Sequence, residues 1–266
     1  MKIAIPTYKR SETLRDKTLK MLIGYGFTIG EIYIFVANEE EKKIYEQVNP
    51  GYQYILAEKG VKNVRNFMVR YFKQGEKIVY FDDDIEEIQE CFFDFNKIRG
   101  KMAKSKSEII KKGKSLRKIE NLKKFIEEAF RMIEYLRLGI WGVYLPANAF
   151  FMKETGERGW VTTNLRYIPA GFYGVVNDKM IDVATIDDKE DYERTIHFYL
   201  KYGGVLRFNN IAMQTKYYVE KGGMQEERTK ERVLDSAIYL AKKYPFLCKL
   251  NLKKASGFAE IKFISI

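Results

Sequence analysis

Two hydrophobic rhythms alternate along the first third of the chain. Short apolar runs at 3–6, 32–36, 52–57 and 77–81 have the length and the β-branched or aromatic content of strands buried on both faces. Between them apolar residues recur at helical spacing. Leu14, Leu19, Leu22 and Ile23 lie behind a Ser11 cap and ahead of Gly24 and Gly26, the charged segment 39–48 follows, and 61–72 runs up to Gly75. The order β-α-β-α-β-α-β predicts an α/β fold: a mostly parallel, Rossmann-like central sheet, wound by right-handed crossovers and flanked by helices.

The second half carries the same rhythms less regularly. Leu122, Phe125, Ile126, Ala129, Phe130 and Ile133 predict a helix that becomes convincing near Ile119. Residues 141–146 and 149–152 read as strands or close-packed turns, and the stretch 168–174 is rich in glycine and aromatics. Asp187 and Asp188 open a predicted helix to Tyr202, with Tyr192, Ile196, Tyr199 and Leu200 as its buried stripe. Another amphipathic helix ends near Lys243, before Pro245, and the alternation over 258–264 predicts an added antiparallel edge strand. These elements favour one domain over 1–266 with a basic insertion at about 94–136.

Charge changes the picture at one place. The chain has a formal net charge of +11, and residues 97–124 hold twelve Lys or Arg against Glu108 and Glu120, so nearly the whole surplus sits in one segment. A basic arm predicts an anionic partner, nucleic acid or a membrane surface, although a like-charged block also serves as a solvated loop. Cys91 and Cys248 have neither metal nor redox spacing and suit a reducing compartment. No apolar run reaches spanning length and no signal peptide is visible, so the expectation is a cytoplasmic protein without a transmembrane segment.

The candidate chemistry concentrates where the fourth strand stops, at Asp82, Asp83 and Asp84. Ligands of open α/β sheets sit beyond the carboxyl ends of strands, and alternation lets Asp82 and Asp84 point the same way. Adjacent carboxylates repel, so Mg²⁺ or Mn²⁺ is expected between them; a solvated acidic turn is the plain alternative. The first strand leads into Pro6, Thr7, Tyr8, Lys9 and Arg10 rather than a glycine loop. That argues against NAD or FAD and offers an aromatic face for a base and cations for phosphate. Arg65 and Asn66, on the helix before the acidic strand, are candidates for a diphosphate and a sugar hydroxyl, or a helix surface pair. Glu190 and Asp191 fall in a helical first turn, which keeps a general base ionised and is also an ordinary place for stabilising acids. Lys221, Gly222 and Gly223 make a basic loop able to wrap an anion or to act as a hinge. His197 lacks spaced partners and reads as a surface or packing residue.

In series, the residues 5–10, Arg65-Asn66, the triplet Asp82 to Asp84, Trp141-Gly142, Gly171 to Gly174, Glu190-Asp191 and Gly222-Gly223 give the chain a resemblance. It resembles GT-A fold nucleotide-sugar glycosyltransferases and, more narrowly, the TET/JBP-associated DNA glycosyltransferases of phage and kinetoplastids. The resemblance implies a GT-A-like fold in which Asp84 binds Mn²⁺ or Mg²⁺ and Asp82 reaches ribose or a metal-bound water, with Asp83 beside them. Pro6, Thr7, Tyr8, Arg10, Arg65, Asn66, Lys221, Gly222 and Gly223 would hold a nucleotide sugar, a UDP-sugar first of all, and Asp191, with Glu190 beside it, would be the base. Trp141, Gly171, Phe172 and Tyr173 would receive a hydroxymethylated DNA base, while Lys104, Lys106, Lys111 and Lys112 track duplex phosphates. A bacteriophage origin, with action in the host cytoplasm, would follow. Many GT-A enzymes add a late histidine ligand, and no histidine follows His197. A glycan, lipid or protein acceptor is the rival within the enzyme class; a DNA-binding module without catalysis is the rival outside it.

Overall fold

The computed structural model describes residues 1–99, 105–155, 159–181, 183–215, 222–223, 228–252 and 259–264. The first half runs β1 (Lys2–Pro6), α1 (Ser11–Leu14), a π turn (Arg15–Leu19), α2 (Lys20–Gly24), β2 (Ile32–Val36), α3 (Glu39–Val48), β3 (Gln53–Leu56), α4 (Val61–Tyr71) and β4 (Lys77–Phe81). The second half follows with β5 (Glu87–Phe93), α5 (Lys106–Gly113), β6 (Lys114–Lys118), α6 (Leu122–Tyr135), β7 (Ile140–Tyr144), β8 (Val161–Thr162) and β9 (Phe172–Val176). It ends with α7 (Glu190–Tyr202), β10 (Leu206–Gln214), α8 (Lys230–Lys243), β11 (Cys248–Asn251) and β12 (Glu260–Phe263).

One large mixed sheet has the order β3-β2-β1-β4-β9-β7-β10-β5-β6, with β8 paired to β10. The first four strands are mutually parallel, as the alternation predicts. Ile3, Ala4, Ile5, Ile78, Val79 and Phe81 are fully buried, so the runs show no alternation because helices cover both faces. β9 is antiparallel to both β4 and β7, which returns β7, and β10 beside it, to the direction of β4. The carboxyl ends of β1, β2, β4 and β7 therefore share one rim, and the amino end of β9 enters it from the opposite direction.

Two expectations change. The basic stretch does not stand apart as an arm: β6 pairs with β5 at the sheet edge, and α6 sends Leu122, Ile126, Ala129, Phe130 and Ile133 into the core. That helix starts at Leu122, where the Asn121 side chain accepts from the Lys124 backbone N–H at 2.9 Å. The last strand does not extend the large sheet either. β12 pairs with β11 in a separate two-stranded sheet, because its apolar positions face α7 and α8 in a cluster containing Tyr192, Ile196, Ala237, Leu240 and Ile261. Among residues 149–152 the chain turns, with the Phe151 N–H donating to the Asn148 carbonyl at 3.1 Å.

Candidate active site

The acidic turn after β4 is clamped from behind. Thr18, fully buried in the π turn, donates its hydroxyl to the Asp82 carbonyl at 2.7 Å and accepts the Ile85 N–H at 2.9 Å. π turns inside helices recur at functional sites, and this one places a hydroxyl where the triplet's backbone needs it. Asp83 points inward, accepting from the Thr7 hydroxyl at 2.7 Å and from Arg10 Nη1 at 3.1 Å. Burial pushes its carboxyl up to about 7, against the pull of Arg10. Asp82 and Asp84 are the outer pair: the Asp82 side chain is 39% exposed and accepts from Arg65 Nη2 at 2.8 Å, while Asp84 is 15% exposed and 3.7 Å from Arg10 Nη1. Burial, and next the charge of Asp82, raise the Asp84 carboxyl above its ordinary value.

No group of three or more His, Cys, Asp or Glu placed to hold a metal occurs among the described residues. The two outer carboxylates still fit Mg²⁺ or Mn²⁺, hard ions that commonly use one or two carboxylates and take further oxygens from a diphosphate and water. Their partial desolvation and mutual repulsion are what such an ion relieves.

The loop after β1 is held by α3. The Lys9 N–H donates to Glu41 Oε2 at 2.8 Å with Lys9 at φ 55°, and the Arg10 N–H donates to the Tyr45 hydroxyl at 2.8 Å. Tyr8 is thereby presented at the rim with Lys9 Nζ and Lys59 Nζ each 5.3 Å from its ring centroid. Pro6 closes β1 opposite Phe35. Gly222 and Gly223 pack on this loop: the Gly223 N–H donates to the Tyr8 carbonyl at 3.1 Å, and Arg10 Nη2 donates to the Gly222 carbonyl at 3.0 Å. Both glycines have positive φ, 84° and 64°, and a Cβ on Gly222 would stand 2.8 Å from the Lys9 carbonyl. The expectation that this loop wraps an anion with free N–H groups is thus corrected at Gly223, whose N–H is taken by Tyr8. Lys221 lies outside the described residues.

Across the rim, α7 begins among charges. Asp187 accepts the Lys62 N–H at 3.0 Å, and Asp188 is held by Arg228 Nε at 3.0 Å and Arg232 Nε at 2.6 Å. Glu190 faces inward, 3.8 Å from Arg65 Nε. Among the described residues Glu190 Oε1, Arg65 Nε and Arg65 Nη1 have no hydrogen-bond partner, and their residues border a cavity of about 10 Å³, room for one water. Asp191, beside it, is partly exposed. Its Oδ2 accepts from the Tyr167 hydroxyl and its Oδ1 from the Tyr192 N–H at 2.9 Å, while the Tyr167 ring stacks on Tyr192 at 4.2 Å.

Burial, reinforced by Asp191, pushes Glu190 up to about 7 against Arg65 and Arg194. The folded protein therefore keeps a proton that the unfolded chain has released. The stability linked to Glu190 is whole below the ordinary carboxylate range and is lost as pH rises through about 7. Glu190→Gln is expected to flatten part of the fall in Tm between about pH 5 and about pH 8, with Asp83, shifted in the same sense, keeping the rest. An unchanged slope in calorimetric scans of the variant would place this titration elsewhere.

No family model matches the chain, and no curated protein matches it. Among solved structures it is similar to the mannosyltransferase PcManGT from Pyrobaculum calidifontis in complex with GDP-Man and Mn2+. The TM-score is 0.50 at 12% identity, over 92% of this chain and 64% of that one. The fold is GT-A-like, a mostly parallel mixed sheet flanked by helices. S. aureus TarS 1-349 is also similar, with a TM-score of 0.47 at 13% identity, over 80% of this chain and 59% of that one. The chain spans less than two thirds of the length of either.

On this GT-A fold several expected contacts are corrected. Trp141, Phe172 and Tyr173 cannot receive an acceptor at the surface, because all three are buried in the sheet core. The Trp141 indole lies across Gly174, where an added Cβ would sit 2.3 Å from the ring, and Tyr80 stacks on Tyr173 at 4.7 Å. Gly171 packs against Met213 and beside Asp82. Asn66 is spent on the Ala184 backbone, donating to its carbonyl at 2.9 Å and accepting its N–H at 2.8 Å. Arg10 and Arg65 are held by the protein's own carboxylates. Lys112 pairs with Glu108 at 2.5 Å, Lys106 and Lys111 contribute backbone to α5, and Lys104 lies outside the described residues. His197 is a packing residue, bonded to the Ile181 carbonyl at 2.9 Å and the Tyr244 hydroxyl at 2.8 Å. No helix among the described residues is long and apolar enough to cross a membrane. Sequence reading missed Thr18 and Tyr167, since an isolated threonine in a helix and a tyrosine in a loop carry no spacing signal.

Proposed function

We propose that this protein transfers a sugar from a nucleotide-sugar donor to an acceptor hydroxyl, with Asp84 and Asp82 holding Mn²⁺ or Mg²⁺ and Asp191 acting as general base. The observation that carries the reading is Arg65, which reaches Asp82 on one side and Glu190 on the other and so joins the acidic end of β4 to the start of α7. Asp191 stands next to that junction, in reach of a hydroxyl approaching the donor from across the rim. When bound, the metal ion supplies positive charge for the departing diphosphate. Tyr8 offers its ring to the donor's base, with Lys9 and Lys59 adding charge for its phosphates. Asp191, oriented by Tyr167 and the Tyr192 N–H, takes the acceptor proton.

A UDP-sugar is our first donor; the GDP-Man bound by PcManGT supports nucleoside diphosphate sugars as a class. For the acceptor we keep a hydroxyl on duplex DNA, such as a 5-hydroxymethylpyrimidine, supported by the positive surplus of residues 97–124. A panel of UDP- and GDP-sugars with Mn²⁺ tests the reaction. Release of nucleotide that EDTA abolishes is expected for one of them, and none with any donor would leave a binding module. Transfer of labelled sugar to hydroxymethylated duplex is the expected second result; hydrolysis without such transfer would give first place to a glycan, lipid or protein acceptor.

A further inference from the structure

The arginines around the rim divide into two kinds. Arg10 faces Asp83, Arg65 faces Asp82, and Arg228 and Arg232 face Asp188. Arg166 and Arg207 differ: among the described residues neither forms an ion pair, and Arg166 is the neighbouring charge that disfavours Arg207's own. Uncharged groups hold Arg207, with Nε donating to Asn209 Oδ1 at 2.9 Å, Nη1 donating to the Tyr167 carbonyl at 3.5 Å, and the guanidinium 5.2 Å from the Tyr144 ring centroid. Among the described residues the buried Arg166 Nε has no hydrogen-bond partner. Two partly buried cations that repel each other, one with an unsatisfied donor, are costly unless an anion completes them. Burial, and next Arg166, hold Arg207 down at about 10, which still leaves it charged at neutral pH.

The place of this pair suggests what the anion is. Tyr167 links it to the proposed base, since its carbonyl accepts from Arg207 and its hydroxyl donates to Asp191. On the other side, the Tyr144 hydroxyl donates to the Phe151 carbonyl at 3.2 Å. There Phe150 and Phe151, 52% and 51% exposed, present an edge-to-face pair with ring centroids 5.1 Å apart. Arginines beside exposed aromatic rings are the combination that holds a nucleic-acid strand, phosphate on the cations and base on the ring.

We propose that Arg166 and Arg207 form an anion site that binds a backbone phosphate of the acceptor strand, linked to Asp191 through Tyr167 and to the Phe150–Phe151 turn through Tyr144. The proposal rests on the DNA-acceptor reading for the identity of the anion, but not for the existence of the site. A bidentate fork on one phosphate, with a second guanidinium beside it, fixes the strand's register while leaving base choice to other contacts.

Calorimetric titration of inorganic phosphate, and of thymidylyl-thymidine as a single-phosphodiester probe, tests both parts in EDTA. The wild-type protein, R166Q/R207Q and R166K/R207K are compared. Expected are measurable binding of both anions to wild type, tighter binding of the dinucleotide, a loss of at least roughly tenfold in the glutamine variant, and a smaller loss in the lysine variant. Equal phosphate affinity in wild type and the glutamine variant would overturn the site. A dinucleotide no tighter than phosphate would overturn the nucleic-acid assignment. Arginine-dependent phosphate binding by a protein that glycosylates no DNA would leave the site standing and remove only the acceptor reading. If the double glutamine variant fails to fold, R166Q alone carries the same comparison, since Arg166 Nε makes no hydrogen bond among the described residues.

Discussion

Asp191→Asn is expected to lower turnover by roughly 10²- to 10⁴-fold while donor affinity stays within about twofold. The expectation follows from where the two neighbouring acids face. Glu190 looks inward, caught between Arg65 and Arg194 beside a cavity for one water, whereas Asp191 is partly exposed at the rim and oriented by Tyr167 and the Tyr192 N–H. An amide keeps that shape, its oxygen still able to accept the Tyr192 N–H while its NH2 turns the Tyr167 hydroxyl into an acceptor, but it cannot take a proton, so the loss appears in the transition state and not in donor binding. Single-turnover rates and calorimetric donor affinities measured on one preparation check it. Full turnover in Asp191→Asn, together with an inactive Glu190→Gln, would assign the base to the wrong acid.

Asp84→Asn is expected to leave the metal-free protein as stable as wild type or more so, and to abolish the stabilisation that Mn²⁺ and nucleotide give together. The sign comes from the strain in the outer pair: burial and Asp82 both disfavour the Asp84 charge, so neutralising it relieves the folded state when no ion is bound. With ligand at about a hundred times Kd, the wild type should gain about 2.7 kcal/mol from binding, and the variant should lose nearly all of that gain. Thermal unfolding in EDTA, in Mn²⁺ alone and in Mn²⁺ with UDP separates the two effects. An equal metal-linked rise in Tm for both proteins would rule out Asp84 as a ligand.

The first four strands were legible because a strand covered on both faces writes an unbroken apolar run, and the triplet was legible because polarity changes abruptly where such a run leaves the core. What the sequence hid is tertiary. Trp141, Phe172 and Tyr173 look like a ligand surface beside glycines, yet Gly174 is small so that the indole can cross its strand. Arg10 and Arg65 look like phosphate ligands, and only the fold brings Asp83, Asp82 and Glu190 to meet them. The basic stretch is partly matched in the same way: Arg117 pairs with Glu90 and Lys123 with Glu31, acids that a local charge count leaves out. Arg166 and Arg207 carry the opposite lesson, since two ordinary-looking arginines become unusual only once the carboxylates nearby have been matched to other partners.

The bracing of α7 has a consequence for the order in which a growing chain acquires its properties. Asp188 depends on Arg228 and Arg232, Glu193 on Lys243 at 2.9 Å, and the Tyr192 hydroxyl donates to Glu260 at 3.2 Å. All of these partners leave the ribosome after the helix they hold. The carboxylates proposed to hold the metal, by contrast, all precede α7 in the chain. In the proposed reading the helix that bears the base is braced only by residues that follow it in the chain, so its position depends on elements made after it.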